Sequence, residues 1–383
     1  MPTTQHRPEP RIGTGAVRDA CLDRARGVRR PRIKPPLRRF RRDARTLQIG
    51  LHPHRAVVLH DVEPAVMRVL DRLDGAHTLR QVIEAAWAEG LDEEQTLTLL
   101  GMLIRRGVLE DAAASPAPLR SLPLRERDRL RPDLEALSLA PATIDCGYGA
   151  LARRRAAYVR VYGAGRVGAQ IAVLLAAAGV GDLCVIDAGT ATAADVVPGG
   201  LGWSEVGGSR QDGAVAAARR VAPGVNAWTG EHASHPGDHA RRPDLVVLAP
   251  VGRLDDTLAV TLVEAGIPHL AVAAFEGHGS VGPLVLPGRT ACLHCVELAR
   301  RDRDPSRPVV GACVGGLPSG ETACDTVLAA QVAATAAGHA LAHLDGLEHP
   351  STNGTLDFLP DWGWMRRSWN IHPECGCSKN SLS

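Results

Sequence analysis

The hexad Gly163-Ala164-Gly165-Arg166-Val167-Gly168 most narrows what this chain can fold into. It follows an apolar run, Val159 to Tyr162, and opens a helical pattern from Val167 to Ala178. Asp187 lies 19 residues beyond Gly168, at the tip of the next apolar run, Leu183 to Ile186. A strand, a glycine turn, a helix and an acidic strand tip make up the fingerprint of a nucleotide-binding βαβ unit. Its glycines let the backbone approach a phosphate, which the helix N-terminus attracts. Asp187 is placed to accept bonds from ribose hydroxyls. The same turn also occurs as inherited architecture that binds nothing. Further on, the pattern predicts a helix near Gln211–Val221, a strand Leu245–Leu248, a helix Thr257–Ala265 and a strand Leu270–Ala274. Alternation of this kind implies a parallel, doubly wound α/β sheet.

Upstream the pattern differs. Residues 33–111 read as a separate domain. Alternating Leu47, Ile49 and Leu51, then Ala56 to Leu59, predict a hairpin about His52-Pro53-His54. Three short helices follow. One opens near Glu63 with Pro64 in its first turn. The second is capped by Thr78 and closed by Gly90, and the third is capped by Asp92 and closed by Gly107. Short strands with three short helices predict a winged helix-turn-helix. Residues 112–149, Ala/Pro/Ser-rich and then charged, read as a linker with one or two helical turns. Residues 150–383 carry the Rossmann-like part.

Charge is uneven. Residues 1–45 hold 14 Lys+Arg against 4 Asp+Glu, while the whole chain carries only +2. Residues 1–32 are therefore read as a basic, disordered leader. Nucleic acid is not the expected partner. The helix from Leu79 to Glu89 that would enter a groove carries Arg80 beside Glu84 and Glu89, and that balance repels phosphate. The longest apolar stretch, Ala169 to Val180, is too short for a bilayer. No apolar segment follows the basic N-terminus as in a secretory signal. A cytoplasmic protein with no membrane partner is expected. Aromatic residues make up 3%, so cores must be built from Ala, Val and Leu.

Nine cysteines are an odd number for a disulfide scaffold. Four of them stand in two close pairs, Cys292-Leu-His-Cys295 and Cys375-Gly-Cys377. Paired thiols of this kind are a zinc signature, and one ion bridging both pairs contributes folding energy. His294 or His372 could replace a thiolate. Cys313 and Cys324 lie in a Gly-rich stretch before the Ala-rich helix Thr326–Leu344. Either could be a nucleophile, Cys313 the weak candidate, but no neighbouring base is identifiable, and buried or incidental thiols are the favoured reading of both. Trp362, Trp364 and Trp369 read as a local apolar cluster.

The glycine hexad, the segment Ala176–Asp187, the Cys-x-x-Cys and the late cysteine pair together resemble the ThiF/MoeB and ubiquitin-activating-enzyme superfamily, over roughly residues 150–377. The N-terminal part is similar to PqqD-like peptide-recognition winged helices. Joined in one chain, the two resemble the ThiF-like, leader-peptide-binding partners of azole-forming systems, where a separate YcaO-type cyclodehydratase uses the ATP. The resemblance implies a homodimer. It also implies a nucleotide site of Gly163, Gly165, Gly168, Asp187 and Arg210, the last at the position of the family's lysine.

Departures from the family bear on activity. Its Asn-Leu-x-Arg-Gln becomes Asp195-Val196-Val197-Pro198-Gly199, without the arginine. Its Cys-Thr-Asp-Asn, whose Asp holds magnesium, becomes Ala249-Pro250-Val251-Gly252. Valine cannot ligate a hard cation, which takes oxygen donors. Without that ion, adenylyl transfer loses a main stabiliser of developing charge. The expectation is a scaffold that binds a precursor-peptide leader and presents it to a modifying enzyme, with structural zinc and without use of ATP. Three alternatives remain: an ATP-dependent adenylyltransferase with Cys313 as a thioester or persulfide site, a NAD- or FAD-using enzyme, and a nucleic-acid-binding winged helix. In the winged domain, strand 47–51 or 56–59 would offer an edge to an extended peptide. Arg105 and Arg106 would attract an acidic one.

Overall fold

The computed structural model describes residues 22–140, 143–230, 241–251, 256–306 and 323–377. The chain divides into two compact units, residues 1–151 and 152–383.

In the first unit, β1 (Pro31–Ile33) is followed by β2 (Arg39–Arg41), β3 (Leu47–Ile49) and β4 (Val57–Leu59). Helices Pro64–Asp71, Leu79–Ala88 and Glu93–Arg105 follow, and β5 (Leu109–Asp111) returns to pair antiparallel with β1. Two of these helices start at full capping boxes, Thr78 with Gln81 and Asp92 with Gln95. Gly90 and Gly107, with φ of 87° and 70°, turn the chain out of them. Val69, Leu70, Leu73, Val82, Leu100 and Leu103 build the core against Ile49.

Three expectations change here. Residues 22–32 are not a disordered leader: a helical stretch spans 22–26, and Ala25 and Val28 are buried in this core. Basic composition hid them because Arg24, Arg26 and Arg29 project outward while the small apolar residues between them pack. The order β2-β3-β4 makes β3 the central strand, so Leu47–Ile49 offers no free edge, whereas β4 and β2 each have one side unpaired among the described residues. The 112–149 stretch carries more than one or two helical turns. Helix Leu124–Ser138 has 15 residues and packs Leu130 and Leu134 on Leu122 and Leu151.

The second unit holds β6 (Tyr158–Tyr162), β7 (Asp182–Ile186), β8 (Asn226–Thr229), β9 (Leu245–Leu248), β10 (His269–Phe275), β11 (His278–Val285), β12 (Gly354–Phe358) and β13 (Trp364–Ser368). Among the described residues they form one sheet ordered β13-β12-β11-β10-β9-β6-β7-β8. The five strands β8, β7, β6, β9 and β10 are parallel, and β11 to β13 extend them antiparallel. The sheet is therefore mixed rather than purely parallel. Its direction reverses at Glu276-Gly277, a two-residue turn with both φ values positive, 52° and 72°. That connection permits only an antiparallel neighbour. Helices Gly168–Ala177, Arg210–Val221 and Thr326–Leu344 cover one face through an Ala/Val/Leu core. Helix Thr326–Leu344 is long and apolar enough to cross a membrane by length and composition alone. In this fold its stripe Leu328, Val332, Ala336 and Ala340 is buried against the sheet.

Candidate functional sites

Strand order reverses at β6, with β7 on one side and β9 on the other, and open α/β sheets bind ligands in the crevice at such a point. Here Gly163, after β6, lies against Ala249, after β9. A Cβ on Gly163 would stand 2.0 Å from the Ala249 carbonyl oxygen, and one on Gly168 2.0 Å from that of Gly163. Gly163 also has φ of 97°. Both glycines are required by close backbone packing, whatever the loop binds. Gly165 is buried between them in sequence.

Asp187 is buried and fully engaged by the protein. Its Oδ2 accepts from the Ala164 amide at 2.7 Å. Its Oδ1 accepts from the Gly189 amide at 2.7 Å and from Arg210 Nη2 and Nε at 2.9 and 3.1 Å. Arg210 Nη1 lies 3.8 Å from Asp195 Oδ1. The structure thus brings Gly163, Gly165, Gly168, Asp187 and Arg210 together, and joins the last two as an ion pair. Composition and spacing did not reveal Gln211, whose Oε1 accepts from the Asp187 amide at 2.9 Å, or Gly189, where a Cβ would strike the Arg210 guanidinium. A glycine two residues past the acid was the available signal. Arg166, inside the hexad, donates to the carbonyl of Ala194 and, at 2.8 Å, to Thr326 Oγ1. Val251 is partly exposed beside this crevice, with no carboxylate at its position. Gly252 and Cys313 lie outside the described residues. Cys324 is a buried thiol.

The second site is the cysteine cluster. Cys292 precedes helix Leu293–Arg303, and Cys295 sits in its first turn. Cys375 and Cys377 come back from beyond β13. Cys292 Sγ is 3.7 Å from that of Cys295 and 3.6 Å from that of Cys375, and Cys295 Sγ is 3.4 Å from that of Cys377. All four sulfur atoms lie within 4.8 Å of one another, and all four residues are buried. A tetrahedral ion with metal–sulfur bonds of about 2.3 Å sets sulfur separations near about 3.8 Å, so this donor set fits one metal ion. Burial pushes the Cys292 thiol up to about 11. A cation is what would hold such thiols as thiolates.

Neither histidine joins the cluster. His294 is exposed, and His372 bonds through Nε2 to Asp302 at 2.8 Å. That bond and the Arg301–Glu374 pair at 2.7 Å hold the C-terminal segment to the helix. Only Trp369 of the three late tryptophans packs here. It is 3% exposed, while Trp362 and Trp364 are 59% and 66% exposed. They project because β13 is the edge strand and all five of its residues are exposed, with Trp362 in the turn before it, so the expected apolar cluster does not form.

Residues 140–378 match the ThiF family. No curated protein matches in sequence. Among solved structures, E. coli MccB with AMPCPP and MccA aligns with a TM-score of 0.69 at 14% identity, over 91% of this chain and 99% of MccB. E. coli MccB with ATP gives 0.69 at 13% identity, over 91% and 99%. PaaA gives 0.65 at 18% identity, over 88% and 99%. These likenesses establish a common fold. With the family match spanning most of the second unit and its cysteine cluster, the chain belongs to the ThiF family.

Proposed function

We propose that this chain is a non-adenylating scaffold. It binds the leader of a ribosomally made precursor peptide through a PqqD-like first unit and presents the peptide to a YcaO-type modifying enzyme. In this reading it works as a cytoplasmic homodimer stapled by structural zinc at Cys292, Cys295, Cys375 and Cys377. The observation that carries it is the Asp187–Arg210 pair, in a crevice where Val251 replaces a carboxylate. The acid that would take ribose hydroxyls and the cation that would meet phosphate neutralise one another. Among the described residues, 249–251 at the end of β9 offer no carboxylate for magnesium. Peptide binding draws support from the likeness to MccB, solved with MccA. The outer edge of β4, unpaired among the described residues, can accept an extended segment through main-chain hydrogen bonds, and Arg105 and Arg106, at the C-terminal end of helix Glu93–Arg105, are exposed.

One observation favours a second reading, an ATP-dependent adenylyltransferase: MccB shares this fold and was solved with ATP and with AMPCPP. ATP–pyrophosphate exchange separates the two. The purified chain, alone and with candidate peptides, should show none. Exchange that disappears in Gly165→Asp would establish the adenylyltransferase instead. Calorimetry with the leader of a co-encoded precursor tests peptide binding separately, with micromolar or tighter affinity expected.

A further inference from the structure

A third group of metal-ligating side chains lies away from both sites. His339 and His343 stand four residues apart near the end of helix Thr326–Leu344, which places them on one helix face. The chain turns at Gly346, with φ of 75°, and brings His349 back onto both. The His349 ring stacks on His339 with centroids 5.4 Å apart and meets His343 edge-on at 6.4 Å. All three residues are half-buried. His339 Nδ1 is buried without a protein partner among the described residues. His349 Nδ1 bonds Ser351 Oγ at 2.8 Å, which leaves Nε2 for a ligand.

We propose that His339, His343 and His349 form a second metal site, separate from the cysteine tetrad, for a borderline divalent transition ion of the Zn2+, Ni2+ or Cu2+ class. Imidazole suits these ions, whereas the all-sulfur site favours softer chemistry. An ion about 2.0–2.1 Å from each ring nitrogen puts the centroids of two ligating rings about 4.5 to 6.5 Å apart, from right-angled to linear arrangements. The separation of His339 and His349 falls inside that range, and that of His343 and His349 at its linear end. The nitrogens do not already converge as the tetrad's sulfurs do, so binding turns the rings about their Cβ–Cγ bonds, a soft rotation for histidine. Burial favours the neutral imidazole in all three, and neutral imidazole is the ligating form. Ser351 would orient His349 as an outer-shell partner. Its carbonyl accepts from the Leu284 amide at 2.8 Å, so the ion would tie the helix end to the segment entering β12.

The test uses the untagged full chain with its tetrad loaded with zinc. Titration calorimetry with Ni2+ should show one further equivalent. His343→Ala and His339→Gln should each weaken it at least tenfold, with zinc content unchanged and far-UV circular dichroism as in the parent. If a helix variant fails to fold, His349→Gln, in the loop, takes its place. Cu2+ bound there should show nitrogen couplings in its electron paramagnetic resonance spectrum, and these should be lost in the same variants. The exposed His52 and His54, 5.5 Å apart, form the control pair. Nickel binding that survives in the three variants but disappears in His52→Ala would overturn the assignment, as would a parent that takes no further ion.

Discussion

Arg210 and Asp187 form a two-point ion pair at the mouth of the glycine loop, Nη2 and Nε both donating to Oδ1 at 2.9 and 3.1 Å. The aspartate is almost wholly buried, and its second oxygen holds the Ala164 amide. The two side chains are thus bonded to each other, and Asp187 to the loop's own backbone.

Breaking that pair should cost stability. Arg210→Ala leaves a buried carboxylate with only backbone donors, and such losses run to about 3 kcal/mol. Urea unfolding of Arg210→Ala should show this loss with an unchanged m-value. A variant as stable as the parent would mean that the pair is solvated in solution.

Gly163→Ala tests the close approach of β6 to β9. The new Cβ would lie 2.0 Å from the Ala249 carbonyl oxygen, on a backbone with φ of 97°. Overpacking with backbone strain should destabilise the second unit by at least about 3 kcal/mol. The readout is soluble yield together with the midpoint of thermal unfolding. Ala at Gly90, where the same added atom meets nothing within 4 Å, should cost much less.

The cysteine cluster should hold one zinc ion per tetrad. Structural zinc contributes on the order of 10 kcal/mol, so Cys375→Ser should unfold or aggregate the segment that packs Trp369 on helix Leu293–Arg303. Metal analysis of the parent and thiol titration in the native state check this. A metal-free parent with four freely reactive thiols would exclude a metal role for the cluster.

Acid should weaken the second unit through His269. This residue is fully buried in β10, and Nδ1 donates to the Ile267 carbonyl at 2.9 Å. Its Nε2 is buried without a partner among the described residues. Burial holds its pKa down at about 4, against 6.5 when exposed. A depressed histidine pKa means that the unfolded chain binds the proton more readily. Its contribution is therefore complete above pH 6.5 and is lost as pH falls toward 4, by up to about 3 kcal/mol. Unfolding free energies measured from pH 7 to 4 should fall accordingly. The fall should be shallower in His269→Gln if that variant folds.

Local chemistry in the sequence was enough to place the β6–helix–β7 unit, the capped helices of the first unit and the two cysteine pairs. A strand's apolar run, a cap and a glycine turn act within a few residues, and that is the range over which a pattern can be read. The hairpin from β10 to β11 was legible in principle at Glu276-Gly277, but alternating small residues there gave a weak strand signal. Which groups meet across long separations was settled by the tertiary fold. Asp187 and Arg210 are 23 residues apart, Cys295 and Cys377 are 82 apart, and β3 became central because β2 paired beside it. Ion pairing, metal-site closure and strand order depend on where the packed sheet and its helices carry each backbone, and spacing along the chain does not encode that.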